Sequence, residues 1–102
     1  MVASIAPLSP ESTTSLIRDA ATKYNVSYTK LFNTLKCESG MDSAAVGDGG
    51  HSYGIAQIYL PAHPSITKAQ ALDKAWAINW TAYEFSTGHI GMWSCARILG
   101  YI

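Results

Sequence analysis

Charge is what this chain has least of. Only 14% of its 102 residues are charged, seven basic against seven acidic, for a formal net charge of zero. The few cations (Arg18, Lys23, Lys30, Lys36, Lys68, Lys74 and Arg97) are scattered. They form no basic stripe, which excludes a nucleic-acid partner. Long hydrophobic runs are also missing: Pro, Gly, Gln and His interrupt every apolar segment before the roughly 18 residues a spanning helix needs, so no membrane insertion is expected. The opening Met-Val-Ala-Ser-Ile-Ala-Pro has neither a basic n-region nor a sufficient apolar core to read as a secretory signal. Metal motifs are absent, with no His-Glu-x-x-His and no paired Cys-x-x-Cys, and no Gly-Lys-Ser/Thr follows Gly50 to make a phosphate loop. No metal or cofactor is therefore predicted.

What remains is apolar: 48% of the residues are hydrophobic, too many for a disordered chain. The length suits one domain with a single core and a cleft. Residues 1–102 are read as that domain, with 1–8 as an arm ahead of the first helix, and the protein as a monomer. Carboxylate chemistry has seven candidates: Glu11, Asp19, Glu38, Asp42, Asp48, Asp73 and Glu84. Cys37 and Cys95 are either one disulfide or two buried thiols.

Helical spacing is clearest at the two ends of the chain. Ser9, Pro10 and Glu11 read as the cap and first turn of a helix carrying Leu16, Ile17, Ala20, Ala21 and Tyr24, closed by Asn25. Ser27 starts a second helix, stopped at Ser39-Gly40, whose apolar stripe of Leu31 and Leu35 continues into Glu38. From Gly40 to Pro64 the pattern breaks up, with a turn or Gly-rich loop at 47–50; residues 53–60 could be a short strand or a helical turn, and irregular structure with one short helix is the favoured reading. Thr67 to Gln70 fits a capping box, and a helix apolar nearly all round follows from Asp73, ending at Gly88. That composition predicts a buried centre, with Trp76 and Trp80 in the core. Met92 to Leu99 is long enough for a short terminal helix.

Glu38 stands out among the acids. At a helix C-terminus it faces the negative end of the dipole, and beside Leu31 and Leu35 it is partly desolvated. Both effects raise a carboxyl pKa, and a carboxyl still protonated near neutrality is what donates a proton to a glycosidic oxygen. The alternative is a surface Glu at a frayed helix end.

Glu38-Ser39-Gly40, followed by Ala45 to Gly50 and then Ser52-Tyr53-Gly54-Ile55-Ala56-Gln57-Ile58, resembles the lysozyme-like superfamily, and in it the soluble lytic transglycosylase type of domain. The likeness covers about residues 12 to 97. It implies a mainly α fold, a small helical domain with a Gly-rich loop or minimal β segment beside the cleft. It also implies peptidoglycan glycan strands as substrate, cleaved between N-acetylmuramic acid and N-acetylglucosamine. Glu38 would be the general acid and then the base that closes the muramoyl 6-hydroxyl onto C1; attack by water would make the enzyme a lysozyme instead. Gln57 would bond the sugar, with Ser39, Tyr53, Tyr59, Tyr83 and Trp93 as further substrate contacts. The place of action would be the cell wall, periplasmic, extracellular or phage-associated, and an oxidising compartment favours a Cys37–Cys95 disulfide.

This chain departs from the family at Gly47, where many such domains carry Ser nine positions after the acid. Asp48 is then either a second carboxylate, as in hydrolytic lysozymes, or an ordinary Asp-Gly turn residue. Ser52 is an alternative partner for Glu38. The family's later tyrosine motif is not recognisable, and Tyr83 or Tyr53 is a candidate substitute. Two rivals stand beside this reading. One is a cysteine peptidase or amidase using Cys37 with His51, His63 or His89. The other is a sugar-binding module of the same fold without turnover. Neutrality leaves no field to steer the chain to an anionic wall, so its hold on substrate is expected to come from the cleft or from a partner that delivers it.

Overall fold

A computed structural model describes residues 12–102. Its described part is mainly helical, with five α-helices and one small sheet. The first helix, α1 (Thr13–Tyr24), is capped by Ser12, whose hydroxyl accepts the Ser15 N–H at 3.1 Å. The cap expected at Ser9, with Pro10, Glu11 and the arm over 1–8, lies outside the described residues. Ser12 serves because its side chain satisfies an amide the first turn leaves unpaired. Asn25, in the left-handed region at φ 55°, ends the helix as expected.

The second helix, α2 (Tyr28–Ser39), runs from a Ser27 cap to Gly40 at φ 65°. A Thr67–Gln70 capping box opens the short α3 (Lys68–Leu72). The Asp73 carboxylate then accepts the Trp76 N–H at 3.1 Å to start α4 (Lys74–Ser86). The last helix, α5, is only Ser94–Ile98.

Helix α4 packs against α1, and α1 against α2. Ile17, Leu31, Leu35, Ile55 and Ile78 are fully buried between them, and Ala20, Ala71, Ala77 and Ala82 let the backbones approach closely. The expectation that α4 would be buried all round needs correcting. Its buried side is Ala77, Ile78, Thr81 and Ala82, whereas Trp76 and Trp80 are only partly covered and Tyr83 is exposed.

Over residues 53–60 the structure takes the short-strand alternative and not the favoured irregular segment with a short helix. Strands β1 (Val46–Gly47), β2 (Ser52–Tyr53) and β3 (Ile58–Tyr59) form an antiparallel sheet in chain order, with Val46 opposite Tyr53 and Tyr53 opposite Ile58. Two-residue strands are too short to show clear alternation, which is why spacing does not decide between strand and helical turn. A 3-10 turn over Leu60–Ala62 follows. Between β2 and β3 the chain turns through Gly54 at φ 84° and Gln57 at φ 49°. Gly54 is also where the sheet meets α3: a Cβ there would come within 1.9 Å of the Ala71 carbonyl oxygen. The terminal helix is fastened separately, by a Cys37–Cys95 disulfide with Cα atoms 5.9 Å apart.

Two stability predictions follow from these fastenings. Gly54→Ala combines an unfavourable φ with a backbone clash and is expected to cost about 2 kcal/mol or more, read as a lowered urea midpoint at unchanged m-value. Replacing both cysteines by serine removes a crosslink 58 residues apart, for which chain entropy gives a loss of about 4 kcal/mol in the same measurement.

Candidate active site

Leu31, Leu35 and Glu38 fall on one side of α2, so the helix carries its acid out of the core at the end of its buried stripe. Glu38 is half-buried in the wall of a pocket of about 140 Å³. The other walls come from the turns and last strand of the β-sheet (Asp48, Gln57, Tyr59), from α4 (Trp80) and from the segment Met92 to Ser94.

The carboxylate of Glu38 accepts the Cys95 N–H at 3.1 Å through Oε2, and the Ser94 hydroxyl bonds to it as well. Burial is the largest influence and raises its pKa; the Cys95 N–H works against that, the negative charge of Asp48 adds to it, and the Ser94 bond again opposes. The net direction is upward from the ordinary carboxylate value, as the sequence position suggests, with desolvation as the main cause.

Asp48 stands at the start of the β1–β2 turn with φ 51°, a left-handed conformation that Asp tolerates better than most side chains. Its Oδ2 accepts the Ser52 hydroxyl at 2.5 Å. Ser52 is fully buried. It therefore holds Asp48 and does not bond Glu38, which corrects the alternative raised from sequence. Ser94 has that place instead.

The remaining candidates separate into those that face the pocket and those that support it. Tyr59 lines it and is about half exposed, at 47%. Gln57 lines it too, but its Nε2 donates to the Ala45 and Gly54 carbonyls at 3.2 and 3.0 Å, leaving only the side-chain oxygen uncommitted by those bonds. That carboxamide passes over Gly47, where a Cβ would meet Gln57 Oε1 at 2.3 Å. The glycine at the position where a family resemblance leads one to look for Ser is thus the space Gln57 occupies.

Trp93 contributes a wall but is 4% exposed, with its indole N–H donated to the Ala56 carbonyl at 3.0 Å, so it supports more than it contacts. Ser39 is outside the pocket; its hydroxyl is engaged by the Ile55 carbonyl at 2.7 Å and the Leu35 carbonyl at 3.2 Å. Tyr53 is outside as well, its hydroxyl donating to the Gly50 carbonyl at 2.6 Å under the Lys68 ammonium. Tyr83 lines a different pocket.

Trp80, His63, Met92 and Ser94 line the same pocket, where the sequence suggests a core position for Trp80, a base beside Cys37 for His63, and no role for Met92 or Ser94. Trp80 was placed in the core because α4 is apolar on every side, and His63 touches its ring edge at 5.1 Å between centroids. Ser94 has one sequence signal: if Cys37 pairs with Cys95, the residues before and after the two cysteines are neighbours.

The disulfide disposes of Cys37 as a nucleophile in this state, since a bonded sulfur offers no thiolate. Among the described residues no group of three His, Cys, Asp or Glu side chains is placed to hold a metal ion, and no helix is long and apolar enough to cross a membrane.

A raised carboxyl pKa makes a signed prediction. The folded state favours protonated Glu38, so this contribution to stability is complete below the ordinary value of 4.5 and is lost as pH rises through the folded-state pKa. Glu38→Gln should therefore raise the melting temperature near neutrality, and the gain should vanish at about pH 4 in paired calorimetric scans. No protein-family model, no curated protein and no solved structure matches this chain, so the assignment of the pocket rests on its own chemistry.

Proposed function

We propose that the protein is a peptidoglycan-cleaving glycosidase of lysozyme-like fold, acting on the β-1,4 bond between N-acetylmuramic acid and N-acetylglucosamine. The observation that carries this reading is Glu38: a half-buried carboxyl with a raised pKa, in a pocket it shares with a second carboxylate and with aromatic side chains. A neutral carboxyl in such a place can give a proton to the bridging oxygen as the C1–O bond breaks. Positive charge then develops on the sugar ring. Asp48, fixed by Ser52, is a negative group on the same pocket.

In the lytic transglycosylase route, ionised Glu38 next takes the proton of the muramoyl 6-hydroxyl as that oxygen bonds to C1, giving a 1,6-anhydro end. Tyr59 and Trp80 supply apolar faces for the sugar rings, and the side-chain oxygen of Gln57 accepts from a sugar hydroxyl. Neither step calls for a cofactor or a metal. The site of action in this reading is the cell wall, outside the cytoplasm or carried by a phage, and the disulfide is compatible with it.

Asp48 also favours a second reading. A carboxylate held on the pocket wall is the group a hydrolytic muramidase uses to orient water or to stabilise the oxocarbenium-like transition state. The two routes share Glu38 and differ only in the nucleophile.

Glu38→Gln keeps the shape of the acid and removes its proton. It is expected to lower solubilisation of purified peptidoglycan by about 100-fold or more. A folded variant that keeps its activity would sink the proposed mechanism, and a wild type without activity would favour a binding module. Mass spectrometry of the released muropeptides distinguishes the routes: anhydro ends for the transglycosylase, reducing ends for the muramidase.

A further inference from the structure

Helix α4 carries an aromatic row that extends beyond the acid's pocket. Trp76 and Trp80, one turn apart, have near-parallel rings at 9° with centroids 6.1 Å apart. Trp80 belongs to both cavities. On one side it meets His63 and Trp93 in the pocket of Glu38. On the other it joins Trp76, Asn79, Tyr83 and Tyr24 around a second, more open pocket of about 200 Å³.

The second pocket has the chemistry of a sugar platform rather than of an unfinished core. Its rings lie on the side of α4 away from Ala77, Ile78, Thr81 and Ala82, and Tyr83 is 47% exposed. Tyr24 and Tyr83 meet edge to face at 5.9 Å, so two phenols are among the pocket's lining residues. Asn79 spends its amide N–H on the Ala75 carbonyl at 3.0 Å, which fixes the side chain beside them. Aromatic faces suit the C–H face of a pyranose, while phenol and carboxamide groups suit its equatorial hydroxyls. An aliphatic helix partner would have no use for those polar groups.

We infer that the pocket of Trp76, Asn79, Tyr83 and Tyr24 is a remote glycan subsite, holding a pyranose ring of the strand whose neighbouring sugars run across Trp80 to Glu38. This rests on the glycosidase reading above. It gives Tyr83 a substrate contact away from the acid, and it makes Trp80 the hinge between the reacting sugars and a distant anchor. Binding energy collected there would hold a long polymer in register, which is useful to a chain without net charge to attract it.

The test uses the full chain carrying Glu38→Gln, so that the probe is not cleaved, and calorimetric titration with the hexamer and the dimer of β-1,4-linked N-acetylglucosamine. The hexamer is expected to bind more tightly than the dimer. Adding Trp76→Ala, or Tyr83→Ala at the more exposed position, should cut the hexamer-to-dimer affinity ratio about tenfold in variants whose circular dichroism matches the parent. A hexamer that binds no better than the dimer, or whose advantage survives both substitutions, overturns the subsite. Cleavage of peptidoglycan by the wild type is scored separately, so loss of the subsite with cleavage intact leaves the glycosidase reading standing, and absence of cleavage removes it.

Discussion

Cys37 and Glu38 are adjacent in α2, and Cys95 engages both. Its sulfur closes the crosslink to Cys37 while its backbone N–H reaches the Glu38 carboxylate at 3.1 Å. A five-residue helix such as α5 has no independent stability, because nucleating it costs more than its few hydrogen bonds return. The crosslink supplies what the helix lacks. It fixes Trp93 and Ser94 as pocket walls, and Asn33 donates to the Tyr101 hydroxyl at 3.0 Å to fasten the chain beyond. Without that tie the acid would lose two of the groups that set its proton affinity.

The β-sheet facing it is equally unable to stand alone, since strands of two residues give too few ladder bonds. Its stability comes from outside, at the turn over residues 54–57. The Ser39 hydroxyl meets the Ile55 carbonyl, the Trp93 indole donates to the Ala56 carbonyl, and the Gln57 side chain closes on the Gly54 carbonyl. Buried carbonyls that a longer sheet would pair are thus satisfied by side chains from α2, from the residue before α5 and from the turn itself. These bonds place the sheet against the end of the acid-bearing helix. Ser39 and Trp93, which the resemblance offers as substrate contacts, spend their polar groups on holding this turn.

What could be read in the sequence was local. Asn25, Ser27, Gly40, Thr67, Gln70 and Asp73 mark helix ends through their own backbone or side-chain chemistry, and each does so in the fold. Glu38 was legible for a related reason: three residues on one side of a helix suffice to place it. The misplaced tryptophans show the limit. A helix apolar on every side has no preferred face, so spacing could not tell that Trp76 and Trp80 line pockets while Ala77 and Ile78 are buried. Ser94 and the Ser52–Asp48 bond depend on which distant segments meet, and that is fixed by the crosslink and the turn rather than by any local pattern.

The balance at Glu38 connects these parts. Burial and the Asp48 charge favour the proton, whereas the Cys95 N–H and the Ser94 hydroxyl favour the ionised form. An acid subject only to the first pair would hold its proton but become a poor leaving partner for it; one subject only to the second would be ionised and unable to donate. In the mechanism proposed for Glu38 the group gives a proton in one step and takes one in the next, which needs both. The opposing influences come from different segments: Asp48 from the β1–β2 turn, Ser94 and Cys95 from α5. The proton affinity of the acid is therefore a property of how those two segments are fastened to α2, and the disulfide and the turn contacts act on the chemistry through that geometry.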